Sequence, residues 1–251
     1  MKDMTITAKL FIGAMVAAGV AALAGGLVRW ECKNPVRFLS FLIIAAVASR
    51  LKVKLPGTNG NLSVNLPFIL IALAVLSLSE TVLIAAASAF VQGLPAKGRS
   101  FKPVQALFNV STLVVAAAAA NLVYTHAALI PSLAAKSMLI ALAGAAFLVT
   151  DTLPVATVIS LTENLSVMKV WRDMLELTFS YFTLSTGVAA IAVTASHYVG
   201  WLTPLVVLPV MIASWVSYKR YFRFPAAVAM ANLQFATLPA GAREKAEVQH
   251  F

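Results

Sequence analysis

The sequence predicts an all-α integral membrane protein, a polytopic bundle of about eight transmembrane helices, some of them short. Three observations predict it. Hydrophobic residues fill 61% of the 251 positions and charged residues 11%, with a mean hydropathy of +0.89, whereas an ordinary soluble domain carries about 25% charged residues. The apolar residues gather into eight stretches, at 10–28, 38–50, 66–79, 81–94, 104–124, 137–161, 174–195 and 201–217. The Lys and Arg residues fall at the borders of these stretches or between them. A soluble domain of this size still exposes about a quarter of its chain surface, so lipid is the solvent that suits so apolar a chain.

Each stretch is judged against the roughly 20 apolar residues that a span requires. The first, at 10–28, is a span and not a cleavable signal: it exceeds the usual apolar run of such a signal, and Arg29-Trp30-Glu31 follows it. The second, third and fourth are short. Residues 66–94 are read as a hairpin of two short helices, because one long tilted helix would carry Ser77, Ser79 and Glu80 to bilayer depth. The fifth to eighth stretches are long enough, or nearly so. Trp30, Tyr124, Trp171, Tyr198, Trp201, Tyr218 and Tyr221 lie near span ends, where amphipathic rings belong, and Trp215 is the exception. Residues 1–223 form the transmembrane domain, and 224–251 form a short cytoplasmic tail.

Loop charges orient this arrangement. With the N- and C-termini both cytoplasmic, 15 of the 19 basic residues fall on the cytoplasmic side, and only Arg29, Lys33, Arg37 and Lys136 lie opposite. Merging 66–94 into one span would carry Lys97, Arg99 and Lys102 outward, so the charges also favour the hairpin. A net charge of +10 in a soluble protein would point to nucleic acid. Here it reads as topology, so the lipid bilayer is the expected partner and nucleic acid is not.

Catalysis has little to work with. The lone Cys32 excludes an intrachain disulfide. His126, His197 and His250 lie far apart, without the spacing of a metal site. There is no HExxH motif, no Walker pattern and no gathered Ser/His/Asp set. No enzyme activity, cofactor or metal is therefore expected.

The interior is more informative. Asp151 stands in the middle of the sixth stretch, within Val149-Thr-Asp-Thr-Leu-Pro154, where an ionisable group costs at least about 2.5 kcal/mol and marks a functional position by default. Pro154 frees the carbonyl of Thr150 and favours a kink there. The pair predicts either a polar ligand pocket or a hydrogen-bonded seam between helices. Asn109 and Asn121, in the fifth stretch, are separated by about 120° around a helix, and helix-to-helix hydrogen bonding is the ordinary role of each. Asp151, Asn109, Asn121 and Thr152 are the candidate ligand-binding residues. The loop at 54–63, with Pro56, Gly57 and Gly60, is a turn region or the lining of a ligand vestibule.

Val53-Lys-Leu-Pro-Gly57, the Ser63 loop, the short hairpin, Leu107-Phe108-Asn109, the span closing on Tyr124, Val170-Trp171-Arg172, Leu208-Pro209 and the basic-aromatic border at 218–223 follow in an order that resembles MASE-type membrane-associated sensor domains. Such domains precede HD-GYP or GGDEF modules in bacteria. The resemblance implies an inner-membrane location and detection of a membrane-borne or small-molecule signal. The family pattern favours Asn where Asp151 stands, which implies different ligand chemistry at that position. The sequence ends 28 residues after Arg223 without an output module, so the signal is expected to pass to a separate protein at the cytoplasmic face. Leu66-Pro67-Phe68 to Gln92-Gly93 also resembles the hairpin of S components of energy-coupling-factor transporters. The leading expectation is a stand-alone sensor or ligand-binding membrane domain acting through a partner protein. The alternatives are a small-solute transporter or S-component-like substrate binder, and a structural subunit of a larger membrane complex.

Overall fold

A computed structural model describes residues 5–28, 30–54, 61–95, 100–129 and 136–237. Among them are eight α-helices: α1 (Ile6–Val28), α2 (Pro35–Ala48), α3 (Leu66–Val75), α4 (Leu78–Gly93), α5 (Pro103–Ala127), α6 (Lys136–Glu163), α7 (Val167–Val199) and α8 (Thr203–Thr237). All eight apolar stretches are helical. Five helices are long and apolar enough to cross a membrane, α1 and α5 to α8, whereas α2, α3 and α4 are shorter. Large side chains such as Leu10, Val20, Ile43 and Ile191 stand on the outer surface, where they meet lipid.

The helix borders follow from local chemistry. Pro35 opens α2 and Pro103 opens α5, since proline lacks only a donor that the first turn leaves unpaired. Asn34 caps α2 by accepting from the Arg37 amide at 3.0 Å. At the start of α4, Ser77 and Glu80 form a reciprocal capping box: the Glu80 amide donates to Ser77 Oγ at 3.3 Å, and the Ser77 amide donates to Glu80 Oε2 at 2.8 Å. This box ends the run that would otherwise join α3 to α4.

The described elements include two strands that the all-α expectation lacked. β1 (Lys52–Lys54) and β2 (Asn61–Ser63) pair antiparallel, Lys52 opposite Ser63 and Lys54 opposite Asn61. Non-helical backbone in a membrane bundle must be shielded by protein, and Ser63, Val64 and Asn65 are buried. Residues 55–60, the turn of the predicted loop, lie outside the described residues, as do 96–99 and 238–251, which hold Lys97, Arg99 and the end of the predicted tail.

Hydrogen bonds between distant segments show how the helices alternate. At one end of the bundle Thr5 Oγ1 donates to the Leu161 carbonyl, Arg50 Nη1 donates to those of Val91 and Leu94, and Lys52 Nζ donates to that of Gln92. At the other end Ser77 Oγ donates to the Glu31 carbonyl, Ser79 Oγ to that of Gly26 and Ser40 Oγ to that of Trp201. The end of α2 and the end of α4 therefore lie together, and α3 returns between them as the rising arm of a hairpin. Arg50 and Lys52 place their charges on the carbonyl end of α4, the favourable pole of its dipole.

Small residues let the helices approach closely. Gly19 of α1 lies against Ser111 of α5, and a Cβ on Gly144 of α6 would meet Thr186 Oγ1 of α7 at 2.6 Å. The core is centred on α3, whose residues Leu66 to Leu73 are all buried, with Phe41, Ala116, Ala117, Ile140, Phe147 and Phe182 around them. Ten residues rise only about 15 Å. α3 is thus a plug surrounded by longer helices.

Candidate functional site

The N-terminal end of α3 meets α7 at the most polar part of the interior. Tyr181, 4% exposed and midway along α7, donates its hydroxyl to the Ser63 carbonyl at 2.6 Å. Trp215 Nε1 of α8 donates to the Lys52 carbonyl at 3.2 Å. Because Lys52 and Ser63 are register partners, α7 and α8 grip the same rung of the ribbon from its two strands. The two helices also meet through their rings: Tyr181 and Tyr218 stand edge to face at 6.2 Å and 83°. Phe182 packs edge to face on Tyr181 at 6.0 Å.

Around the Tyr181 hydroxyl are polar groups with unused hydrogen-bonding capacity. Ser63 Oγ donates to Asn65 Oδ1 at 2.7 Å, which leaves the Asn65 amide nitrogen buried without an acceptor among the described residues. Ser185 is fully buried one turn along α7 from Tyr181, and its hydroxyl faces the Tyr181 phenol. The Asp151 carboxylate is within electrostatic reach of Tyr181. Asp151 is half-buried and stands one turn along α6 from Phe147, whose ring lies 6.3 Å from that of Phe182, so it belongs to the part of α6 that packs beside Tyr181. No hydrogen bond or ion pair engages it among the described residues. Orphaned polar groups in a native interior call for an explanation, and here the Asn65 amide and the Asp151 carboxylate converge on one phenol.

The other predicted residues fall elsewhere. Thr152, the neighbour of Asp151, is buried and occupied: Trp171 Nε1 donates to its Oγ1 at 2.9 Å, while that oxygen donates to the Leu148 carbonyl at 2.6 Å. It ties α6 to α7. Asn109 and Asn121 are half-buried on α5, and among the described residues neither side chain forms a hydrogen bond or joins the Tyr181 network. Of the four candidates, Asp151 alone belongs to that network. Sequence reasoning missed Asn65, Tyr181, Ser185 and Tyr218. A tyrosine in mid-span and an asparagine just ahead of Leu66-Pro67 were the available signals.

A second polar cluster lies at the opposite end, where Cys32, Arg37, Ser77 and Glu80 gather. Glu80 is 3% exposed; its Oε2 serves the capping box, and its carboxylate neighbours Cys32 and Arg37. His126 is engaged within its own helix, its Nδ1 lying 2.9 Å from the Leu122 carbonyl. The arrangement offers binding groups: a carboxylate and amide and hydroxyl donors.

No curated protein and no solved structure matches the chain. The model of the MASE9 family matches residues 15–223, which takes in the six helices α2 to α7, the ribbon and the Tyr181 network, together with α1 beyond its first turns and the proximal part of α8. Of the two resemblances read from the sequence, the match is to the sensor type. With its apolar helices and this match over most of its length, the chain is a multi-pass membrane protein that belongs to the MASE9 family of membrane-associated sensor domains.

Proposed function

We propose that this chain is a sensor domain of the bacterial inner membrane that binds a small ligand at the Tyr181 network and signals through a protein at its cytoplasmic face. The observation that carries the reading is the convergence of Asp151, Asn65 and Ser185 on Tyr181. A purely structural seam would satisfy its members with one another. The grip of α7 and α8 on one rung of the ribbon supports transmission, because a ligand that moves Ser63 to Asn65 also moves both helices.

In the same reading the chain crosses the membrane eight times, with α2 and the α3/α4 hairpin as short crossings. The end holding Thr5, Arg50 and Lys52 faces the cytoplasm, together with Lys102, Lys169, Arg172, Lys219 and Arg220. The opposite end keeps Lys33, Arg37 and Lys136, as the positive-inside rule asks. Single cysteines at Lys33 and Ser100, placed in a Cys32→Ser background, test the orientation. A membrane-impermeant maleimide added to intact spheroplasts should label position 33 and spare position 100; the reverse pattern refutes it. Site-specific photo-crosslinking in cells from Lys102 and Arg220 tests signalling. The expected result is one discrete adduct whose yield changes in Asp151→Asn, and an unchanged yield removes Asp151 from the signalling path.

A further inference from the structure

The interior site is unequal in its unmet needs, and the inequality identifies a ligand class. The Asp151 carboxylate accepts from no donor and faces no cation among the described residues. The basic side chains at the ribbon and beside Tyr218 are committed elsewhere: Lys219 Nζ lies over the Trp215 ring, 4.6 Å from its centroid, Arg50 is on the carbonyls of Val91 and Leu94, and Lys52 is on that of Gln92. The nearby walls are aromatic, with Tyr181, Tyr218 and Phe182 edge to face, and aromatic faces attract cations. The unspent donor among the described residues is the Asn65 amide nitrogen, in a residue more than nine-tenths buried. Ser63 holds the oxygen side of the Asn65 amide, so its NH₂ is what the site presents.

We propose that the ligand is a small organic cation that also carries a hydrogen-bond acceptor, in its simplest form an amino alcohol, with its ammonium at Asp151 among the tyrosines and its oxygen at Asn65. The proposal rests on the ligand-binding reading above. An ionised Asp151 would repel an anion, and a neutral ligand of the same shape offers it no counter-charge. An ammonium satisfies it, and the oxygen takes up a donor that the fold leaves unused.

The full chain, reconstituted in phosphatidylglycerol nanodiscs, can be titrated with choline, with ethanolamine and with 3,3-dimethylbutan-1-ol, the uncharged carbon isostere of choline, while Trp215 fluorescence and calorimetric heat are followed. Choline or ethanolamine should bind saturably and at least tenfold more tightly than the isostere. Asp151→Asn should abolish that preference, Asp151→Glu should keep it, and Asn65→Ala should weaken all probes alike. If the isostere binds as tightly as choline and its binding is lost in Asn65→Ala but not in Asp151→Asn, the cation class is overturned and the interior site stands. If no probe binds, the cation class is again overturned, and the binding reading falls with it only if Asp151→Asn also leaves the crosslink yield in cells unchanged. Thermal melts of each variant exclude misfolding as the cause of lost binding.

Discussion

Replacing Tyr181 by phenylalanine keeps the ring, its edge contacts with Phe182 and Tyr218, and its volume, and removes only the hydroxyl that donates to the Ser63 carbonyl. That carbonyl belongs to the end of a strand in a residue 8% exposed, so neither a helix nor water readily replaces the lost donor. Hydrogen bonds between membrane helices average about 0.6 kcal/mol and reach about 1.7, and an acceptor left unpaired in a buried site costs about 1–3 kcal/mol. The absence of a substitute partner places this bond at the upper end of the membrane range, about 1.5 kcal/mol, or roughly tenfold in the folding equilibrium. Unfolding in mixed micelles titrated with dodecyl sulfate, read by tryptophan fluorescence, measures it. Tyr198→Phe is the control, since Tyr198 is 93% exposed. If Tyr181→Phe unfolds like that control, the Tyr181 bond is not holding the ribbon and the coupling argument fails.

Two further outcomes follow from the packing and from the cluster at the opposite end. Gly144→Val should destabilise the bundle by about 1–3 kcal/mol through overpacking, because even the first added carbon meets Thr186 Oγ1 at 2.6 Å; Gly13→Ala, with nothing within 4 Å, should be neutral or stabilising in the same melt. Burial and then the neighbouring Glu80 carboxylate hold the Cys32 thiol above its ordinary range. Since the thiolate is the reactive form, maleimide labelling of Cys32 should keep rising as the pH passes 9, and Glu80→Gln should speed it at pH 8. A wild-type rate that levels off below pH 9 contradicts this account.

The spans were legible because hydropathy over a helix-length window reports the solvent directly, and the eight apolar stretches all became helices. Their ends were less legible. α7 begins at Val167 and not near 174, since Lys169, Arg172, Asp173 and Glu176 lower hydropathy without opposing helix formation. α8 likewise continues through Lys219 and Arg220 to Thr237. The ribbon escaped notice because two strands of three residues are too short to show an alternating pattern. Asp151 stood out as a charge in mid-span, and the family resemblance matched the shown family. Tyr181 and Asn65 did not stand out, because a tyrosine in an apolar stretch reads as an interface ring and an asparagine beside proline reads as a turn. Their role depends on which backbone carbonyl and which side chain lie opposite them.

The 35 residues of α8 span roughly 50 Å at the helical rise, about 20 Å more than a hydrocarbon core. Trp215, which holds the ribbon, comes 12 residues into that rod, so the helix is pinned part-way along and extends well beyond the pin. It has the geometry of a lever: a pivoting of about 10° at Trp215 displaces the backbone at position 224, nine residues on and roughly 14 Å away, just ahead of Pro225, by about 2 Å. A rearrangement too small to open a path through the bundle is thereby enlarged into a movement of about the width of an atom, a scale on which packed interfaces switch rather than bend.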